Sequence, residues 1–224
     1  MEKNEQEQIN NNGQIDLVTN RYGYKIHLLN IIGEIEGHQC LGSMTKTTKY
    51  EHILPELAKV EDDKTIDGML VLLNTVGGDV EAGLAIAEMI ASLSIPVVTL
   101  VLGGSHSIGV PLCVSGNHSF IVPTATMLIH PIRMNGTILG VKHNYEYIDR
   151  MQDRIISFTC RQSGIKEDAF KALMFNTSEL AKDVGSVLVG KEAVEKGLIN
   201  EVGGIKDAFY CLYSLINEKK NSSI

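Results

Sequence analysis

Two apolar runs in this chain end in a pair of glycines and pass directly into a helical pattern, and this repeated order limits the possible folds sharply. Asp67 to Asn74 reads DGMLVLLN, a strand-length segment with no polar alternation. That is the pattern of a strand buried on both faces of a sheet. Thr75-Val76-Gly77-Gly78-Asp79 follows, and then VEAGLAIAEMIASL, in which Val80, Leu84, Ala87, Ile90 and Ala91 recur at helical spacing. The order repeats as a strand, PVVTLVLGG, and a helix, HSIGVPLCVSG, while SFIVPTATMLIH supplies two short strands separated by Pro123 and Thr124. Strands alternating with helices predict an α/β domain with right-handed crossovers. Upstream, YKIHLLNIIGEI has strand composition, GHQCLGSMTKTTKY reads as a loop, and a short helix is expected around Tyr50 to Val60. Past Gly140 a long helical pattern runs to about Ser163, with shorter helices after it. Residues 1–20 are dominated by Glu, Gln and Asn and read as a disordered polar N-terminal tail. Residues 21–224 read as a single domain without internal repeat or linker.

Charge and cysteine usage narrow the function classes. With 20 Lys+Arg against 27 Asp+Glu the formal net charge is −7, and no basic block stands out. Such a chain is poorly suited to binding nucleic acid through phosphates. No segment approaches the ~18 apolar residues of a membrane span, and the first residues lack the basic-then-apolar order of a signal peptide. Cys40, Cys113, Cys160 and Cys211 are far apart with no CxxC spacing, which fits reduced thiols in a cytoplasmic setting. The seven histidines include no HExxH or i, i+4 pair, so no metal site is expected, and no cofactor.

The chemistry is expected at the two glycine-rich turns, Asn74 to Asp79 and Gly103 to Gly109. A helix N-terminus presents free N–H groups and a positive dipole end, a natural place for developing negative charge. In the second turn Ser107 sits near the helix start, with the amide of Ile108 beside it: a nucleophile next to an oxyanion donor. The alternative is that Ser105 or Ser107 simply caps the helix. His130 closes the strand Thr126 to Ile129 and precedes Pro131, which puts it at the ligand edge of an α/β sheet as a candidate base. Two motifs are misleading. Gly185 to Lys191 matches GxxxxGK, but Glu192 replaces the Ser/Thr that would hold Mg²⁺, so a helix N-terminus is expected there. GxSxG fails around Ser107, because Ser105 occupies the first glycine position.

Four collinear segments resemble the Clp protease proteolytic subunit (ClpP) family over about residues 24–215: NTVGGDVEAGLAIAEMI, GGSHSIGVPL, ATMLIHP and GKEAVEKGLINEV. The long GGDVEAGLAIAEM string and the EGHQ…TKTTKYEH stretch look closer to one branch of that family, the translocation-enhancing proteins. The resemblance implies an α/β fold of the crotonase-like (ClpP-type) ββα superhelix, with a head and a helical handle at about residues 141–162. It implies a serine endopeptidase acting on unfolded proteins or peptides through an acyl-enzyme. Ser107 matches the nucleophile, His130 the general base, and Gly78 and Ile108 the two oxyanion amides. The family's acid falls on Gly185, which has no side chain. The nearest carboxylate is Asp183, and the alternative is a Ser–His dyad with His130 oriented by a backbone carbonyl or water. Loss of the acidic partner costs such sites about 10⁴ in kcat. Implied partners are protein or peptide substrates, further copies of the chain in stacked rings, and a separate AAA+ unfoldase. Two other readings compete: a ClpP-like scaffold that assists protein translocation, and an acyl-CoA enzyme, against which Ser107 and His130 argue.

Overall fold

A computed structural model describes residues 15–17, 22–133, 141–178 and 184–222. Its strands are β1 (Ile15–Leu17), β2 (Ile26–Glu36), β3 (Thr47–Lys49), β4 (Gly68–Gly78), β5 (Val97–Ser105), β6 (His118–Ile121), β7 (Thr126–Ile129), β8 (Ser186–Val189) and β9 (Glu201–Val202). Its helices are α1 (Tyr50–Asp62), α2 (Val80–Ala91), α3 (Gly109–Cys113), α4 (Val141–Gln162), α5 (Glu167–Met174), α6 (Lys191–Glu195) and α7 (Ile205–Ser222). The chain is thus mixed α/β. β2, β4, β5, β6 and β9 lie side by side and parallel, as expected where helices form the crossovers. β7 touches β5 at the Gly104–Thr126 pair and forms an antiparallel ladder with β8.

Both sheet faces are covered, which is why the central strands carry unbroken apolar runs. On one face Leu29, Ile31, Val71, Leu73 and Val101 pack against Ile53, Leu57, Ile86 and Ile90 of α1 and α2. On the other, Ile26, Leu70, Val98 and Leu100 meet Ala208, Leu212 and Ile216 of α7. α4 is half embedded: Ile155, Ile156 and Phe158 are buried, whereas Tyr145 and Tyr147 in its first turns are exposed. Two parallel ion pairs tie it to α2, Arg154 to Glu81 and Arg161 to Glu88.

The structure departs from the sequence reading at several places, among them the stretch read as a loop, where Thr47–Lys49 form β3 beside β2. β4 continues past Asn74 to Gly78, because Thr75, Gly77 and Gly78 still pair with Gly33, Glu34 and Ile35 of β2 across a register shift at Val76. Within the segment read as a tail, Ile15–Leu17 form an antiparallel strand on β2, and Asp16 contacts both His27 and Lys25. Residues 185–191 are not a helix N-terminus alone: they run through β8 before α6 starts at Lys191, and Glu192 accepts the Val189 N–H at 2.8 Å.

Because Phe158 is fully buried, Phe158→Ala is expected to cost about 3–5 kcal/mol in a denaturant titration. Arg154→Ala, which removes an exposed pair, is expected to cost less than about 1 kcal/mol. Comparable losses for the two would mean that α4 is held by charge and not by packing.

Candidate active site

The turn after β5 carries the most unusual backbone of the chain. Among the described residues Ser107 is the one non-glycine residue with positive φ, at 56°. Such a conformation costs about 1–3 kcal/mol and persists only where its surroundings impose it. Here four main-chain hydrogen bonds do so. His106 N–H donates to Thr75 O (3.1 Å) and Ser107 N–H to Leu128 O (2.8 Å), while Gly109 and Val110 N–H donate to His106 and Ser107 O. The turn is therefore pinned between the ends of β4 and β7. Gly77 makes this approach possible: a Cβ there would lie 2.7 Å from both His106 O and Ser107 Cβ.

The helix-cap alternative for the two serines does not hold. α3 begins at Gly109 with Ile108 at the cap position and no side-chain cap. Ser105 is buried and donates its hydroxyl proton to Gly109 O at 2.6 Å. Ser107 instead lines a cleft of about 170 Å³ together with Gly78, Ile108 and His130. The four residues matched in the sequence to nucleophile, base and oxyanion amides thus share one cavity. Val80, Ile132, Ile155, Phe170 and Met174 give it apolar walls, and Arg133 stands at it as a cation.

His130 leaves β7 at the edge of this cleft. Its Nδ1 lies 2.6 Å from Pro131 O. A carbonyl only accepts, so Nδ1 carries the proton and Nε2 keeps the lone pair, the tautomer a general base needs. Burial pushes the imidazole below its ordinary value and the nearby Arg133 charge adds to this, against the opposing Pro131 hydrogen bond. His106, next to Ser107 in sequence, turns away: its ring sits over Gly104 and its Nε2 is 2.9 Å from Thr126 Oγ1. Burial, and then the charge of His130, hold it below the ordinary value too. Among the described residues no hydrogen bond joins Ser107 Oγ to His130.

Asp183 lies outside the described residues. Gly185, at the position where the acid was expected from the resemblance, packs directly on the base. Its φ is +132°, and a Cβ would meet Ile129 O at 2.4 Å and His130 Cβ at 2.9 Å. Its N–H is held by Asn176 O at 2.8 Å. Sequence reasoning missed two groups here. The Pro131 carbonyl carries no side-chain signal at all, whereas Arg133 could have been noticed as a cation three residues after the candidate base. The buried thiol of Cys113 is held protonated: burial raises it to about 12.

A Clp protease family model matches residues 27–206, and the chain belongs to the Clp protease family. Over 195 residues it is 54% identical to the translocation-enhancing protein TepA of Halalkalibacterium halodurans, covering 87% of this chain and 76% of that one. It is 29% identical over 140 residues to the ATP-dependent Clp protease proteolytic subunit 1 of Chlamydia muridarum, covering 60% and 69% respectively. The protein of that name from Protochlamydia amoebophila is 30% identical over 138 residues, covering 60% of this chain and 64% of its own length. The family resemblance read from four segments is thereby borne out.

An acid cannot be restored at Gly185 without moving the backbone. Gly185→Asp and Gly185→Ala are both expected to lose at least about 1–3 kcal/mol of stability, and neither to gain activity. Thermal unfolding of both variants checks this. A Gly185→Asp protein as stable as wild type and faster in hydrolysis would show that the position was built for a carboxylate.

Proposed function

We propose that this chain is a serine endopeptidase of the ClpP type that cuts unfolded proteins or peptides through an acyl-enzyme, with Ser107 as nucleophile and His130 as base. The observation that carries the reading is the left-handed Ser107 in a cleft shared with His130, Gly78 and Ile108. Nε2 of His130 takes the Ser107 proton as Oγ attacks the peptide carbonyl. The amides of Gly78 and Ile108 receive the oxyanion, and the imidazolium then protonates the leaving amine. Water deacylates Ser107 by the reverse proton path. The Pro131 carbonyl fixes the tautomer that an acid fixes in a triad, so we read the site as a dyad and give Asp183 no required role. A carbonyl dipole stabilises the imidazolium less than a carboxylate does, which makes this a slow peptidase.

The fold reading goes with it: a crotonase-like ββα superhelix with α4 as the handle, whose exposed Tyr145 and Tyr147 would be covered by another copy of the chain in a stacked ring. A separate AAA+ unfoldase would deliver substrate in the cytoplasm. Among the described residues no helix is long and apolar enough to cross a membrane. A second reading, a scaffold that assists protein translocation with little or no proteolysis, is favoured by the name of the 54% identical relative and by the lack of a Ser107–His130 hydrogen bond. Catalytic hydrogen bonds in ligand-free sites are often long, so the second observation weighs less than the strained turn.

A fluorophosphonate is expected to label wild-type protein on Ser107 and to leave Ser107→Ala unlabelled and without peptidase activity. Failure to label wild type would favour the scaffold. Because His130 is held below its ordinary value of 6.5 and the neutral imidazole is the reactive form, the labelling rate is expected to persist into acid below pH 6.5 before it falls. Asp183→Asn is expected to change kcat by less than about tenfold, against about 10⁴ for an orienting acid. A loss near the larger value would restore the triad.

A further inference from the structure

The turn that carries Ser107 holds a second imidazole, which the peptidase steps do not use. The half-buried ring of His106 lies on Gly104. The three heavy atoms nearest to a Cβ at Gly104 would all belong to that ring, Nε2 at 2.8 Å, Cε1 at 3.1 Å and Cδ2 at 3.3 Å. Glycine therefore leaves the ring its seat on the end of β5. From there Nε2 reaches Thr126 Oγ1 at 2.9 Å. Gly104 and Thr126 are also the pair at which β5 and β7 meet, so the ring bridges the same two strands a second time, through side chains. Alternate residues of β7 then serve the turn in order. Thr126 takes the His106 ring through its hydroxyl, Leu128 takes the Ser107 N–H through its carbonyl at 2.8 Å, and His130 follows as the candidate base. If the first link is lost, the turn can pivot about the second, and such a pivot moves Ser107 against His130. Burial holds His106 below its ordinary value, so near neutral pH the link adds no charge beside a base that must itself become cationic.

We propose that His106 is a positioning residue: its ring, seated on Gly104 and hydrogen-bonded to Thr126, fixes the spacing between the turn bearing Ser107 and the strand bearing His130. The assignment rests on the peptidase reading of that pair, and it is tested both with and without the chemistry.

The test uses five full-length variants. Thr126→Val keeps the shape of the side chain and removes the hydroxyl, and Thr126→Ser keeps the hydroxyl. The others are His106→Ala, Gly104→Ala and the double variant Gly104→Ala/His106→Ala. Fluorophosphonate labelling of Ser107 at a series of reagent concentrations separates reversible binding from the rate of phosphonylation. Thr126→Val and His106→Ala are expected to slow phosphonylation about 10–100-fold, the effect of a small misplacement of reacting groups, with binding little changed. Thr126→Ser should stay near wild type. Gly104→Ala drives a Cβ into the ring and should lose as much as His106→Ala, whereas adding it to His106→Ala should cost nothing further. Wild-type phosphonylation rates in Thr126→Val and His106→Ala would overturn the proposal, even with lowered unfolding temperatures, because the contact would then serve stability alone. A second readout needs no chemistry: the carbon-edited NMR signal of the His130 ring, assigned by its disappearance in His130→Gln. It is expected to shift in Thr126→Val and to return in Thr126→Ser. A signal unmoved in both Thr126→Val and His106→Ala overturns the proposal whether or not Ser107 is labelled. Failure of wild type to label counts against the peptidase reading, and the His130 signal then decides for His106 on its own.

Discussion

The end of β4 and the turn after β5 touch through their main chains, and this contact organises the cleft lined by Ser107 and His130. With no Cβ at Gly77, the carbonyl of His106 and the Cβ of Ser107 approach the neighbouring strand end more closely than any other residue would allow. The approach lets Thr75 O accept the His106 N–H, and it forces Ser107 into a left-handed conformation that the fold must stabilise from elsewhere. The compensation is visible. Thr75 donates its hydroxyl to Gly33 O and accepts Gly77 N–H, and Leu128 O accepts the Ser107 N–H. Strain at one residue is thus distributed over three strands, and what the strain secures is the outward aim of a single hydroxyl.

The base is positioned by a different economy. In a triad an acid orients the imidazole and stabilises its charged form, two tasks done by one group. Here the Pro131 carbonyl performs the first within its own dipeptide, and the close packing of Gly185 on His130 leaves no room for a Cβ at position 185. Arg133 works against the second task, since a cation near the imidazole makes protonation harder. The result is an imidazole held below its ordinary value, mainly by burial. Under the peptidase reading, low turnover follows from these three neighbours and not from any one missing residue.

The α/β alternation was legible because burial on both sheet faces removes polar residues from the strands, a signal that needs no tertiary knowledge. The candidate site was legible as far as it depended on residues that follow strand ends: Ser107, His130, Gly78 and Ile108 all line one cleft. What remained hidden depended on backbone geometry. Ser107 looked as plausible as a helix cap as it did as a nucleophile, and only its φ and the start of α3 at Gly109 separate the two. The orienting carbonyl of Pro131 leaves no trace in composition. Gly185 read as a missing acid, whereas its +132° φ and its contact with Ile129 O show a position that demands glycine. β1 was invisible because three residues of mixed polarity become a strand only when β2 and the Asp16–His27 contact are there to receive them.

α4 and the cleft are mechanically one unit. Ile155 lines the cleft and follows Arg154, while Val80 also lines it and precedes Glu81. The Arg154–Glu81 pair therefore joins the neighbours of two lining residues, and Arg161–Glu88 repeats the link seven residues on along both helices. Exposed pairs of this kind contribute about 0–1 kcal/mol each, too little to hold a helix that would otherwise leave. Their effect is on register: with Ile156 and Phe158 supplying the burial, the two pairs choose which turn of α4 faces which turn of α2. Tyr145, in the exposed first turns of α4, lies ten residues before Ile155 on one continuous helix, a distance of roughly 15 Å. Since Val80 begins two residues after Gly78, a shift of α4 against α2 changes the cleft wall and the turn bearing one proposed oxyanion amide together.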